Sequence, residues 1–588
     1  MIILDNNTEW GKIDWNKIRQ SVRKKQYRIF MAKINGNVQI VRKLQIRLIN
    51  SLDAKLLSVL QVTTLNTGKK TAGVDKQVIV GSVQKMKLAK SLELDGKAKP
   101  IRRVMIPKPG KVELRPLGIP TIMDRAKQNL AKLALEPEWE AVFEPNSYGF
   151  RPGRSCQDAI EAIFLNLRHN RVKHVYDADI AKCFDKIDHN ALLNKLNTFP
   201  QMKKQVSAWL KANIMEGYAN RPKSVIESTA GTPQGGVISP LLANIALHGM
   251  ENHLKEFASN LNTTTDTAYN SSGKAIKYKA LGIIRYADDF VIIHENPDIL
   301  KICITEAKNF LTGIGLEINE SKSKMRDARE GFLFLGFQII LLRSKSRYKV
   351  KIMPSTKSSD RLMENIRTVV KNAKAWSAFK LISSLRPKIL GWANYFRSSE
   401  CTRTFTRLTN SIYGSIRAWV FRRDTRNGKL AVKQKYFPSG STYKFNKTTH
   451  KDNWILVGKQ RDKKGKIVQK FLPHISWVQS VKHVKVKGSN SPLDPRLKLY
   501  WFKRLTKNST YPPSIKALLK SQKCKCSICD NNFNDSDQFE IDHIIPRVMG
   551  GGDQVENLQL IHKTCHIVKT RSDHAQTQFY LTSNHAQA

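Results

Sequence analysis

The stretch LGIIRYADDFVII, residues 281–293, constrains what this chain can fold into more than any other. Its apolar, β-branched runs, 281–284 and 290–293, read as two strands of a hairpin, with residues 286–289 near the bend. Asp288 and Asp289 then sit side by side between two strands. Adjacent carboxylates repel, and burying them unpaired costs on the order of several kcal/mol. A solvated turn is one explanation, since Asp is a common turn residue. A divalent cation is the other, and the rest of the chain has to choose.

At 588 residues the chain exceeds what one core can organise, so several domains are expected. With 41% hydrophobic residues it reads as globular. Its 100 Lys+Arg against 48 Asp+Glu give a formal charge of +52, which repels itself unless a polyanion neutralises it; nucleic acid is the leading partner. A membrane is not expected: the longest apolar stretch, FLFLGFQIILL at 332–342, has 11 residues and contains Gln338. MIILDNNTEW at the start lacks the basic and apolar regions of a secretory signal. Of eight cysteines, four fall between positions 524 and 565, a clustering that suggests a metal site in a reducing compartment rather than a disulfide scaffold.

Residues 1–70 carry helical patterning and end in the turn-rich NTGKKTAGVD. Residues 100–155, dense in Pro, Gly and Arg, read as short strands and loops that project cations. Strands and helices alternate from about 174 to 340, where SPLLANIAL (239–247) predicts a helix with Ser239 as N-cap and Pro240 in the first turn. Leu362, Ile366, Val369 and Val370 mark an amphipathic helix, and helical patterning continues to about 422. Residues 401–500 hold 23 Lys+Arg against four Asp and no Glu, too large a surplus for a merely solvated face. YPPS at 511–514 reads as a linker before a compact Cys/His module.

A partner for the Asp pair should be another carboxylate at a strand end, because two divalent ions need bridging ligands. HVYDADIAKCFDKIDH (174–189) offers Asp179 after a short apolar run, with Phe184 five residues on; AGTPQGGVISP (230–240) is a glycine-rich turn carrying Gln234 and Gly235. The order DIAKCF, GTPQGG, YADD resembles the palm of reverse transcriptases, and the flanking stretches narrow the resemblance to group II intron-encoded proteins. NTGKKTAGVD, RRVMIPKPGKVELRPLGIPTIMDR and YGFRPGRS resemble that family's finger segments. GLEINESKSK (315–324) and FLFLGF (332–337) resemble its later palm motifs, the second being the grip on the primer end, and GWANYF (391–396) its thumb or maturase helices.

The resemblance implies two Mg²⁺ held by Asp179 and Asp288, with Ile180 as a further ligand and Asp289 completing the charge cluster; magnesium takes carboxylates together with phosphates and waters. It implies that Phe184 lies under the incoming sugar and selects deoxynucleotides by excluding a 2′-hydroxyl. Gln234 and Gly235 would let the backbone approach the nascent base pair. Lys108 and Arg115 are candidates for the triphosphate, or for generic RNA contacts. Lys322 is a candidate proton donor to pyrophosphate, with Lys324 competing.

The last module reads CKCSICDNNF (524–533) and FEIDHIIPRVMGGGDQVENLQLIHKTCHIVKT (539–570). Cys526 and Cys529 have the spacing of a zinc turn, and His562 and Cys565 form a second pair, a tetrahedral set of the structural kind; Cys524 is the substitute for one of them. A module of this size needs such a staple. Asp542-His543, Asn557 and Cys565-His566 resemble an HNH nuclease. The resemblance implies that His543 is the general base, that Asp542 and His566 hold one Mg²⁺ or Mn²⁺, and that Asn557 fixes the loop or orients His543. A zinc knuckle that only grips DNA is the other reading.

The expected fold is multidomain α+β: a right-hand polymerase with fingers and a palm carrying the YADD hairpin, an α-helical thumb, a basic DNA-binding segment, and a small ββα-metal HNH module with structural zinc. The expected boundaries are 1–75 (N-terminal extension and first finger segment), 76–345 (fingers and palm), 346–430 (maturase or thumb), 431–510 (basic DNA-binding region) and 511–588 (HNH). The resemblance implies target-primed reverse transcription of intron RNA, a maturase role in splicing, and cleavage of one DNA strand. Partners would be intron RNA, a double-stranded DNA target and dNTPs, in the bacterial cytoplasm on the nucleoid rather than in an organelle. A splicing-only RNA-binding protein with vestigial centres, a reverse transcriptase of another class, and a homing endonuclease with a passenger polymerase are the competing readings.

Overall fold

The computed structural model describes residues 9–107, 113–168, 170–262, 267–446, 448–461, 465, 467–508, 511–533, 538–570 and 572–574. The chain opens with helices α1 (Trp15–Ile34), α2 (Val38–Asn50) and α3 (Leu52–Leu60). The Asp14 carboxylate caps α1 by accepting from the amides of Asn16 and Lys17. Strands β1 (Ile101–Pro107) and β2 (Leu114–Ile119) form a hairpin, which later joins β4 (Ile214–Tyr218) and β5 (Arg221–Ile226) in the order β2-β1-β4-β5.

Beyond β2, up to residue 155, the structure departs from the expected strands and loops. Residues Ile122–Glu140 form a 19-residue helix, α4, capped by the Thr121 hydroxyl and buried along most of its length. Ala126, Leu130, Ala134 and Leu135 repeat at helical spacing, while the Pro- and Gly-rich flanks disguise it. The arginines of YGFRPGRS also turn inward instead of projecting. Arg151 is buried and bonds both carboxylate oxygens of Glu140, at 2.9 and 3.0 Å, and the carbonyls of Glu144 and Ser147. Here the cations hold loops together, so they are not available as surface charge.

The palm sheet runs β6 (Gly282–Tyr286), β7 (Asp289–His294), β3 (His174–Asp179), β8 (Lys324–Asp327), all antiparallel neighbours. Both of its faces are covered, which explains the unbroken apolar runs. Phe290, Ile292, Ile283 and Tyr176 enter the core shared with α1–α4. Val291, Ile293, Ile284 and Val175, alternating with them, enter the core shared with the thumb. Helix α5 (Cys156–Leu167) packs on the second face behind a capping box of Ser155 and Asp158. Helix α6 (Ser239–Leu247) starts one residue earlier than expected: Ile238 is the cap, and the Ser239 hydroxyl donates to the Pro233 carbonyl at 2.9 Å, away from the helix amides.

A second sheet, β11 (Arg347–Pro354), β10 (Phe337–Ser344), β9 (Phe332–Phe334), leads into helices α7 (Thr356–Asn372), α8 (Ala378–Phe396) and α9 (Thr402–Arg423). Leu362 and Ile366 are buried on α7 as their spacing predicts. The basic stretch that follows folds into two hairpins, β12 (Thr442–Phe445) with β13 (Thr448–Lys451) and β14 (Val457–Arg461) with β15 (Ile467–Phe471). Gly458 lies so close to α8 that a Cβ there would stand 2.3 Å from the Phe379 amide nitrogen. Instead of linking, YPPS initiates a helix, Pro513–Ser521, with Pro513 in its first turn, where a missing N–H costs nothing. A last hairpin, β16 (Phe539–His543) with β17 (Leu558–His562), precedes helical residues 563–570.

One buried junction ties the segment after β15 to the palm. The Asp158 Oδ1 atom accepts from His483 Nε2 (3.1 Å), the Val486 amide (2.8 Å) and Arg504 Nη2 (2.6 Å). Burial alone would push this carboxyl up; His483 and Arg504 outweigh it and hold it down at about 2. Replacing Asp158 with Ala strands the buried Arg504 guanidinium and leaves the His483 ring and the Val486 amide without their acceptor, and should destabilise this region by about 3 kcal/mol. Because the folded-state value lies below the unfolded one, this contribution is present above about pH 4 and is lost as pH falls toward 2. The measurement is amide exchange across 483–504. Asp158→Ala should open that segment selectively near neutral pH, and unchanged protection would sink the assignment.

Candidate active sites

The first centre gathers at the ends of β3, β6 and β7. Asp179 is the last residue of β3 and lies directly opposite Asp289, the first residue of β7. Ala287 and Asp288 make the turn between β6 and β7, with Ala287 at φ +59°, a left-handed conformation unusual for alanine. Two contacts hold that turn. Gly149 presses on it so closely that a Cβ there would stand 2.4 Å from the Ala287 nitrogen. Arg285, buried in β6, reaches the Ala287 carbonyl (3.3 Å), Asn244 (3.0 Å) and Ser147 (2.8 Å). Nothing in its type or neighbours separates Arg285 from the many surface cations, so sequence reasoning missed it.

The carboxylates are electrostatically unbalanced. Burial, then Asp288, Asp179 and Asp177, push Asp289 up to about 7. Asp288 is also raised, by burial and Asp179, with Arg115 and Lys322 pulling the other way. Lys322 forms an ion pair with Asp179, and the Asp179 amide donates to Ser323 at 3.1 Å. Lys324 instead lies opposite Asp177 in the β3–β8 register, so Lys322 is the lysine at this centre. Ile180 continues β3, its amide donating to the Asp288 carbonyl at 3.2 Å. Lys108 falls outside the described residues, and Arg115 is exposed on β2.

The Phe184 ring stands 6.3 Å from that of Phe150, edge to face, and its carbonyl accepts from the Thr232 amide. The GTPQGG turn therefore docks on the Phe184 segment on one side and on β2 on the other. The Gln234 carbonyl accepts from the Gly118 amide at 2.6 Å. Gly235 has φ +114°, and a Cβ there would stand 2.5 Å from the Gly118 carbonyl oxygen. Glycine at 235 thus already has an internal cause, the approach of β2.

The second centre is built on the β16–β17 hairpin. Ligand atoms of Cys526, Cys529, His562 and Cys565 all lie within 4.8 Å of one another, and Cys529 Sγ is 3.3 Å from His562 Nδ1. Cys524 is buried but outside this group. Three sulfurs and one imidazole nitrogen match the donor set that suits Zn²⁺.

Beside them, His566 Nε2 lies 3.4 Å from Asp542 Oδ1. Two unforeseen residues complete the pair: Glu540 accepts from His566 Nδ1 at 2.6 Å, and Lys569 Nζ stands 3.2 Å from Asp542 Oδ2. Their signal was spacing. Glu540 lies two residues before Asp542 on one face of β16, and Lys569 lies one helical turn after Cys565. His543 Nε2 bonds Asp553 Oδ1 at 2.8 Å. Asn557 instead clamps the loop, with its side chain bonded to the Ile545 amide (2.9 Å) and to the carbonyls of Ile545 (3.1 Å) and Gly552 (2.9 Å). The Asn557 side chain thus bonds loop backbone, while Asp553 and Arg547 (3.3 Å) are the residues on the His543 ring.

Family models match four successive spans: the N-terminal domain of reverse transcriptase at 10–92, reverse transcriptase (RNA-dependent DNA polymerase) at 106–339, the group II intron maturase-specific domain at 359–437, and HNH endonuclease at 526–572. Protein YkfC of Escherichia coli is 33% identical over 320 residues, covering 50% of this chain and 81% of YkfC. Group II intron-encoded protein LtrA of Lactococcus lactis is 30% identical over 329 residues, covering 47% of this chain and 54% of LtrA.

The chain belongs to the group II intron-encoded proteins.

It is a multifunctional member, carrying reverse transcriptase, maturase-specific and HNH endonuclease domains. A putative COX1/OXI3 intron 2 protein of Saccharomyces cerevisiae is 30% identical over 279 residues, 41% of this chain and 32% of that protein. Within this group II intron protein, Asp179, Asp288 and Asp289 fall in the reverse transcriptase span. GWANYF falls in the maturase-specific span, and Cys526 through His566 fall in the HNH span. Among the described residues no helix is long and apolar enough to cross a membrane.

Proposed function

We propose that this protein copies intron RNA by target-primed reverse transcription: the HNH centre cuts one strand of a double-stranded DNA target, and the palm extends the 3′ end so made with dNTPs. The observation that carries the reading is the register of the palm, which sets Asp179 against Asp289 with Asp288 in the adjoining turn. Three acidic groups facing one another, two of them raised by burial, are better explained by a cation than by a solvated turn.

Hard carboxylate oxygens fit Mg²⁺, and Asp179 and Asp288, with Ile180 through its backbone, would hold two ions. Bound there, the ions would activate the primer 3′-hydroxyl and neutralise charge on the leaving pyrophosphate. Lys322, already drawn to Asp179, gives a proton to that pyrophosphate, and Arg115 and Lys108 orient the triphosphate. Phe184 sits under the sugar, and Gln234 and Gly235 shape the floor of the base-pair pocket. At the second centre Asp542 and His566 would hold one Mg²⁺ or Mn²⁺ against the scissile phosphate, and His543, oriented by Asp553, takes the proton from the attacking water. The four-residue Cys/His set would hold structural Zn²⁺. The basic 431–510 region supplies phosphate contacts to the DNA, and the maturase-specific span binds the intron RNA during splicing.

The test uses supercoiled target DNA, intron RNA and labelled dNTPs with the full chain. Labelled cDNA joined to the cut strand is expected for wild type. His543→Ala should abolish that joined product while leaving extension of an added primer intact. A joined product that survives His543→Ala would overturn the link between the two centres.

A further inference from the structure

Beyond these centres, a cavity of about 630 Å³ lies where three parts of the chain meet. One wall is a single face of α1, the second is the segment 492–505, and the third is the zinc module. Four cations, Arg19, Arg23, Lys24 and Lys498, line it together with the rings of Tyr27 and Phe502. The acid on the wall, Asp494, is already engaged by Arg496 at 2.7 Å, so it offsets little of that positive charge. Arg19 spends Nη2 on the Thr564 hydroxyl, at 2.5 Å, while its Nη1 is buried without a hydrogen-bond partner. A guanidinium nitrogen left in that state is costly unless an acceptor arrives.

We propose that this cavity binds one nucleotide of the target DNA strand, its phosphate on the cations and its base against the rings. The volume lies in the range of small-molecule sites, large enough for a nucleotide. Cations interleaved with aromatic rings are the chemistry that holds single-stranded nucleic acid without reading its sequence. DNA is the source favoured by position, and the inference rests in that respect on the nuclease reading above. His562 lines the cavity and sits at the far end of β17, whose first residue, Leu558, pairs with His543. Four residues of strand at ~3.3 Å each span roughly 13 Å. At ~3.4 Å per nucleotide step the cavity then lies about four steps from the scissile phosphate. Holding a nucleotide there would set the register of the cut.

The probe is a single-stranded oligodeoxynucleotide carrying iododeoxyuridine, irradiated with the full chain and mapped by peptide mass. An adduct on Tyr27 or Phe502 is the expected result. In binding, the Lys24→Glu/Lys498→Glu pair should lose affinity for the same oligonucleotide by about tenfold more than Lys203→Glu/Lys211→Glu, an equal charge change on exposed residues outside the cavity. Adducts confined to other regions, or equal losses from the two pairs, would overturn the proposal. An iodouridine oligoribonucleotide of the same sequence is the second arm; if it alone labels the cavity, the assignment to DNA is wrong. The crosslink needs no cutting, so failure of the chain to nick DNA would count against the nuclease reading and leave the cavity result standing.

Discussion

Asp288→Asn should lower RNA-templated primer extension by about a thousandfold, the scale of losing a charged group aimed at transition-state charge. The same change should raise the melting temperature measured in chelator. Asp288 is half-buried beside Asp289 and near Asp179, and its ionised form is disfavoured there by partial burial and by like charge. A neutral isostere of the same volume removes that repulsion and keeps the turn, which Gly149 and Arg285 hold independently of the carboxylate. Activity and stability therefore move in opposite directions. A merely structural Asp would lose both, and a solvated turn residue would change neither. Extension at the wild-type rate would end the palm assignment, and a lower melting temperature would end the electrostatic account of it. DNA nicking should be untouched, since the HNH residues lie in a separate matched span.

Cys526→Ser should abolish DNA nicking while extension of an added primer continues. The hairpin and helix around His543 form a small core of their own, with Leu518, Leu519, Phe533, Leu560 and Ile561 grouped around the cysteines. So little apolar burial cannot hold the module, whereas zinc in such sites contributes about 10 kcal/mol of folding free energy at neutral pH. Removing one thiolate from the set of four should release protease-sensitive sites in 511–574 and lower bound zinc below one per chain. The palm cores contain none of these residues, so they should not notice. Nicking that persists in a zinc-free chain would refute a structural role for the metal. Parallel loss of primer extension would mean that the module also supports the fingers, through contacts such as that of Lys563 Nζ with the Leu65 carbonyl.

The grouping of side chains at the two candidate centres was the most legible part of the chain because it depends on residue type and order. Divalent-ion sites need carboxylates at strand ends, and zinc needs sulfur and imidazole at short spacing; both requirements are written locally. Helix α4 was hidden because its apolar positions alternate with Asp124, Arg125, Lys127 and Gln128, which are buried by partners distant in sequence. Arg125, for instance, bonds the carbonyls of Gly68, Thr71 and Pro120. The arginines of YGFRPGRS misled for the same reason: charge is visible in a sequence, and the Glu140 that absorbs it is not recognisable as its partner.

By itself, then, the order of residues pointed to the two side-chain clusters, carried the family resemblance and set the alternating faces of the palm strands, since each follows from residue type or periodicity within a few residues. Tertiary structure alone decided which lysine meets Asp179, that Asp553 rather than Asn557 bonds His543, and that the Cys/His module rests on α1, where Arg19 meets Thr564 across 545 positions. Contacts at that separation are set by how the packed cores bring surfaces together, and no local pattern of residue types records it.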